Sequence, residues 1–274
     1  MNQKINNIIF SSDRASQLKL LLDSIKKNAS EVFKTTVLFA TSTDEYKDGY
    51  KKVILDKKYS DVIFIEIFDL KQQTIELLKC EEKFSCFFLD DDVIYNLINL
   101  KEIEDTIESD EDIVCFSLRL GENTTHCYTL GVNNVMHDIH VGDNIMKWDW
   151  SLHYLDFGYP FSLEGHVYRT KDILKLTKKC DFSDGFEGFE MSLFDFAENF
   201  PRIKMASYKN SSVVGIPVGR VQVSIDDEAL ILKKDGEARI KRKELNNELL
   251  KGNFINLELL DFSNIIGCHQ EIKL

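Results

Sequence analysis

Apolar runs of strand length alternate with helix faces through the first half of the chain, and this alternation restricts the fold more than any other feature. "INNIIFSS" (Ile5 to Ser12) reads as a buried strand. Leu18, Leu21, Leu22 and Ile25 then recur at helical spacing, with Ser12 or Asp13 expected to cap that helix. "TTVLFATS", "DVIFIEIF", "FSCFFL" and "DIVCFSLRL" read as further strands. "EYKDGYKKVI", "LKQQTIELLKC" and "INLKEIEDTIES" read as the helices between them. Repeated strand–helix–strand units predict a mostly parallel sheet with right-handed crossovers. Ligands of such sheets bind beyond the carboxyl ends of the strands. The loops after Ser12, Ser42, Phe68 and Leu89 are therefore expected on one rim.

After about Gly121 the pattern changes. A segment rich in His, Asn, Gly, Trp and Tyr runs to about Gly158 without a clear period. "SLEGHVYR" (Ser162 to Arg169) reads as a short strand and "KDILKLTKKC" as a helix. Phe186, Phe189, Leu193, Phe196 and Phe200 keep a helical period, weakened by Gly188. "KMASYKNSSVVGIPVGRVQ" reads as strand and loop, the stretch from Ile240 as helical at first, and "IIGCHQEIKL" as extended. No repeat or linker forces a second domain in 274 residues. The expectation is one domain over 1–274, with 1–120 and 121–274 as its two halves.

Composition excludes several classes. The net charge is −12, and the densest basic run, "KKDGEARIKRK" (Lys233 to Lys243), carries acids as well, so no nucleic-acid partner is expected. An anionic ligand then needs a few arginines or a metal ion. Six scattered cysteines without a CxxC pair suit a reducing compartment. No apolar stretch reaches about 18 residues, and no signal peptide is evident. The expected location is the cytoplasm, with peripheral contact at a membrane surface left open. GxGxxG, Walker and GxSxG motifs are absent, which leaves dinucleotide oxidoreductases, kinases and serine hydrolases unsupported.

The strand "FSCFFL" runs directly into Asp90, Asp91 and Asp92. Adjacent carboxylates repel unless solvent or a cation compensates. Alternate residues of a strand end point the same way, so Asp90 and Asp92 face one site and Asp91 another partner. Oxygen ligands of this kind suit Mg²⁺ or Mn²⁺. A solvated acidic turn is the plain alternative. The position on the expected ligand rim favours the functional reading.

Those residues, with "SSDRASQLKLLLDSI" after the first strand, carry a resemblance. The chain resembles GT-A-type glycosyltransferases, close to a small branch of bacterial and viral nucleotide-sugar-dependent enzymes with a motif like SxDRxxQLxxLLxSI. "SLRLG", "SLEGHVYR", the Phe/Glu helix, "IPVGRVQ" (Ile216 to Gln222) and "CHQE" extend it over most of the chain. The resemblance implies a GT-A, Rossmann-like sheet with a smaller antiparallel extension on the acceptor side. It implies a nucleotide-sugar donor, UDP-sugar favoured, and a glycan or glycoconjugate acceptor. It implies a divalent cation on Asp92, Asp90 and His269, with Asp90 also suited to ribose or sugar and Asp91 to either role.

Further residues follow from it. Arg14 pairs either with phosphate oxygens or with neighbouring aspartates. Ser11 and Ser12 flank the nucleotide or cap a helix, and Asp69 lines the base pocket or caps the next helix. An inverting enzyme needs a carboxylate base; Glu164, Glu187 and Glu190 qualify, with Glu190 preferred and Glu164 orienting a sugar. Two positions depart from the family: Arg220, where relatives carry asparagine, and "DGFEGFE", which lacks the proline and asparagine before the final glutamate. A nucleotidyltransferase and a non-catalytic carbohydrate-binding protein are the rival classes. "MHDIH" (His137, Asp138, His140) reads as surface or acceptor-side histidines ahead of a metal cluster. Trp148, Trp150, Tyr154, Phe157 and Tyr159 suit either an acceptor platform or the core.

Overall fold

The computed structural model describes residues 4–217 and 242–272. In chain order the elements are β1 (Ile5–Ser12), α1 (Ala15–Asn28), β2 (Phe33–Ala40), α2 (Asp44–Ile54), β3 (Ile63–Glu66), α3 (Leu70–Leu78), β4 (Phe84–Leu89), β5 (Asp92–Ile94), α4 (Leu100–Glu108) and β6 (Ile113–Ser117). The second half adds β7 (His126–Cys127), β8 (Val132–Asn133), β9 (His140–Val141), β10 (Ile145–Asp149), β11 (His166–Arg169), α5 (Thr170–Thr177), α6 (Gly185–Phe194), β12 (Lys204–Tyr208) and β13 (Val213–Gly215). A further helix spans residues 242–251.

A nine-stranded sheet runs in the order β3-β2-β1-β4-β11-β6-β12-β10-β9. Its first four strands are parallel. Antiparallel pairing belongs to the side contributed by the second half, where β11 inserts between β4 and β6 and opposes both. Strand alternation sorts the core into two layers. Ile5, Ile9, Phe88 and Val37 pack with Leu18, Leu21 and Ile25 of α1 and Ile103 and Ile107 of α4. Ile8, Phe10, Leu38 and Phe87 face the other way, onto Leu78, Ile173, Phe189 and Leu193. Helices therefore cover both faces, as the strand–helix alternation requires.

Three local expectations are corrected. Neither Ser12 nor Asp13 caps α1: Arg14 occupies the N-cap position, with no capping bond from its side chain. Asp13 adopts φ 58°, and its carboxylate accepts from the Ser42 amide at 2.7 Å and hydroxyl at 2.6 Å, tying the tips of β1 and β2 together. The aromatic helix stops at Phe194, short of Phe196 and Phe200. "KMASYKNSSVVG" forms two separate strands, β12 and β13. The basic run Lys233 to Lys243 lies largely outside the described residues, as do Arg220 and the end of "IPVGRVQ". Cys80 and the five buried cysteines are all unpaired. No helix among the described residues is long and apolar enough to cross a membrane.

Candidate active site

Register brings the candidate residues to one rim. β1 and β4 run parallel, so Ser11, Ser12 and Arg14 leave the sheet beside Asp90. β11 opposes β4 with Val167 facing Cys86, which carries Glu164 back to the carboxyl end of β4. Gly165 makes this entry: at φ +71° its amide donates to Phe87 O and its carbonyl accepts from the Leu118 amide, each at 2.8 Å. Arg119 leaves the end of β6 at the same place. Two sequence-distant segments thus meet the acidic triplet because they flank one strand.

Asp90 and Asp91 form a two-residue turn, and Asp92 opens β5. All three are buried. Asp90 Oδ2 accepts from Ser11 Oγ (2.8 Å) and the Ser12 amide (3.2 Å). Asp90 Oδ1 takes Arg14 Nη1 at 2.9 Å, and Asp91 Oδ2 lies 3.2 Å from the same nitrogen. Tyr50 of α2, fully buried, bonds Ser11 Oγ and accepts from the Arg14 amide at 3.2 Å. Burial pushes the Asp90 carboxyl up, opposed by Arg14 and reinforced by Asp91. Asp92 accepts from the Leu89 amide at 2.9 Å. Its carboxyl is driven well above the ordinary range, by burial first and then by Glu164 and Asp91.

A second cluster adjoins the first. Glu164 Oε2 accepts from Arg119 Nη1, which also donates to Ser162 Oγ at 3.0 Å. His269 Nε2 lies 2.9 Å from the same Glu164 oxygen. Asp156 stands 3.9 Å from Arg119 Nη2. Half-buried Glu190, on α6, accepts from the Leu163 amide at 3.1 Å. Its carboxyl is raised by burial and by Glu164, with Arg119 pulling the other way.

The C-terminal segment reaches this place through β13. Gly215 pairs with Asp92 of β5 and bridges to His269. Its amide donates to Cys268 O at 2.8 Å, and its carbonyl accepts from the Gln270 amide at 3.0 Å. A Cβ at Gly215 would lie 2.4 Å from His269 Cδ2, so only glycine admits the ring. Upstream, Phe262 stacks on Tyr95 at 5.6 Å, while Ile255, Leu257 and Leu260 pack with Leu20, Val93 and Ile216.

Most candidates therefore converge: Ser11, Ser12, Arg14, Asp90, Asp91, Asp92, Glu164, Glu190 and His269. Asp69 stands apart as an exposed N-cap of α3, accepting from the Gln72 amide at 2.9 Å. Trp148 and Phe157 are core residues, whereas Tyr154 is exposed and Tyr159 stacks on Phe194. The His137 and His153 rings lie 4.6 Å apart, tilted by 32°, and no metal-holding group of three His, Cys, Asp or Glu occurs among the described residues. Sequence reasoning missed Arg119, Tyr50 and Gln17. Gln17 is buried beside Asp90 and Asp91 with its Nε2 unpartnered. Arg119 lies inside "SLRLG", where a basic residue in an otherwise apolar run is the available signal, and Gln17 lies inside the N-terminal motif without one.

No family model matches the chain. A curated relative, the bifunctional glycosyltransferase pgtA of Dictyostelium discoideum, is 28 % identical over 291 residues, covering 92 % of this chain. The chain is similar to a glycosyltransferase over nearly its whole length. It spans 37 % of that relative's length. Among solved structures, Staphylococcus aureus TarS 1–349 matches at a TM-score of 0.49 with 16 % identity, covering 89 % of this chain and 72 % of TarS. A 4-diphosphocytidyl-2C-methyl-D-erythritol synthase from Anaerococcus prevotii matches at 0.39 with 13 % identity, covering 86 % and 96 %. Likenesses at this level add nothing to the architecture read from the sheet itself.

Proposed function

We propose that this chain transfers a sugar from a nucleotide-diphosphate donor, favouring UDP, to a hydroxyl of a glycan acceptor. The observation that carries the reading is the convergence of Asp90, Asp91, Asp92, Glu164 and His269 at the carboxyl rim of the parallel strands, where such sheets bind ligands. The similarity to a glycosyltransferase supports the same class.

The rim fits a divalent cation by charge. Among the described residues, four buried carboxylates (Asp90, Asp91, Asp92 and Glu164) lie beside two arginines (Arg14 and Arg119), and burial already presses Asp90 and Asp92 towards protonation. Mg²⁺ binds through one or two carboxylates together with substrate phosphates, and Mn²⁺ would be held in the same way. Asp92 and Asp90 would hold the ion, with Asp91 able to share it and His269 beside them. When bound, it would offset the charge that gathers on the departing diphosphate.

The chain's own residues supply the rest. Ser11 and the Ser12 amide fix the Asp90 carboxylate, leaving it to orient ribose or sugar. Glu190 takes the acceptor proton in an inverting displacement. Its raised carboxyl pKa brings its basicity nearer the working pH. Arg119 and Ser162 hold Glu164 between the two clusters.

Product analysis tests the reading. Incubation with UDP-, GDP- and dTDP-sugars and a hydroxyl acceptor, with and without Mn²⁺, should give a nucleoside diphosphate and a new glycoside only with the metal. Pyrophosphate release from a nucleoside triphosphate would indicate nucleotidyl transfer instead. Glycan binding without turnover would indicate a carbohydrate-binding protein.

A further inference from the structure

Arg14 occupies the oxygens that a cation would use. One guanidinium nitrogen touches both Asp90 Oδ1 and Asp91 Oδ2, and the other Asp90 oxygen is taken by Ser11 and the Ser12 amide. Both carboxylates are buried, with side-chain exposures of 5 % and 1 %. A guanidinium and a divalent ion at those oxygens repel each other strongly at low dielectric. Arg14 stands at the start of α1, where its amide donates to the Tyr50 hydroxyl at 3.2 Å. Its side chain is 12 % exposed, so it stands at the mouth of the cluster. Guanidinium groups bind phosphate as readily as carboxylate, through the same fork.

We propose that Arg14 is an exchangeable counter-ion that makes metal and diphosphate binding depend on each other. Without donor, the guanidinium offsets part of the charge on Asp90 and Asp91 and weakens the binding of a free divalent ion. When a diphosphate arrives with its metal, Arg14 moves its bond to a phosphate oxygen and frees the carboxylate oxygens for the ion. Each ligand then raises the affinity for the other by the same factor. This deepens the proposed transfer reaction and rests on it for the diphosphate, while the metal arm stands on the protein alone.

Isothermal titration of wild type, Arg14→Gln and Arg14→Lys tests it, using Mn²⁺ alone and then UDP or GDP at saturating Mn²⁺. Arg14→Gln should bind Mn²⁺ alone about 10-fold more tightly, and the nucleoside diphosphate about 10-fold more weakly, than wild type. Arg14→Lys should fall between them on both axes. Changes of opposite sign separate exchange from a scaffold role, which would weaken both. The Mn²⁺-induced rise in unfolding temperature should likewise be larger in Arg14→Gln, a readout that holds if the variant is less stable. Mn²⁺ affinity unchanged or weakened in Arg14→Gln would overturn the proposal. Wild type that takes up Mn²⁺ but neither diphosphate would overturn the transferase reading and leave the metal arm to decide on Arg14.

Discussion

Two arginines, half-buried Arg14 and buried Arg119, face carboxylates along the same rim, and they are held differently. Arg14 stands on a loop between β1 and α1, with one guanidinium nitrogen on both Asp90 and Asp91. Arg119 follows β6 and faces Glu164, Ser162 and Asp156 from the irregular segment that leads into β11. The first arrangement suits a group that changes partners when charge arrives. The second suits a permanent counter-ion, because removing a buried partner strands the other charge. On the proposed reading, donor phosphates and metal belong to the triplet side, while Arg119 positions Glu164, which adjoins Glu190 and His269.

Asp92→Ala gives the largest expected effect. Turnover should fall about 100-fold or more, as when a group stabilising transition-state charge is lost, with an unchanged far-UV spectrum. Retained turnover at ordinary Mn²⁺ would end the assignment of the triplet side.

Gly215→Ala asks whether the two clusters depend on one strand contact. The added methyl collides with the His269 ring and should cost roughly 1–3 kcal/mol. Turnover should drop to the level of His269→Ala, and the double variant should lose no more than either single, since both act through the same contact. Additive losses would mean that Gly215 matters for the fold alone.

Glu190→Gln sharpens the second cluster through pH. The folded carboxyl is raised above its ordinary value by burial and Glu164. Its contribution is therefore fully present below about pH 4.3 and is lost as pH rises through the folded value. Glutamine cannot ionise, so the variant should gain in unfolding temperature relative to wild type as pH increases from 4.5 to 8. A difference independent of pH would show that Glu190 carries no such penalty.

Asp69→Ala is the smallest perturbation. Losing the α3 cap should cost about 1 kcal/mol. Diphosphate affinity should not change. A weakened affinity would place Asp69 in the base pocket as well.

The triplet side was legible because its parts are local. "FSCFFL" ending in Asp90 and "INNIIFSS" running to Arg14 are a strand and its exit, and parallel pairing of adjacent strands fixes their ends together. The cap of α1 was misplaced because Asp13 takes a left-handed conformation to reach Ser42, a choice set by the neighbouring strand tip. The Glu164 side was less legible. Its geometry depends on β11 inserting against the direction of its neighbours, and nothing in "SLEGHVYR" shows which strands it enters between. Arg119 reads as an interruption of an apolar run until β6 and β11 are paired. Tyr50 looks like an ordinary helix residue until its hydroxyl meets Ser11.

The account stands most directly on where a divalent ion sits. Crystals soaked in MnCl₂ with UDP, measured at the manganese absorption edge, should show one anomalous peak bonded to the Asp92 carboxylate and to the diphosphate, with Arg14 turned onto a phosphate oxygen. A peak elsewhere, or UDP bound away from the rim with Arg14 still on Asp90 and Asp91, would contradict it.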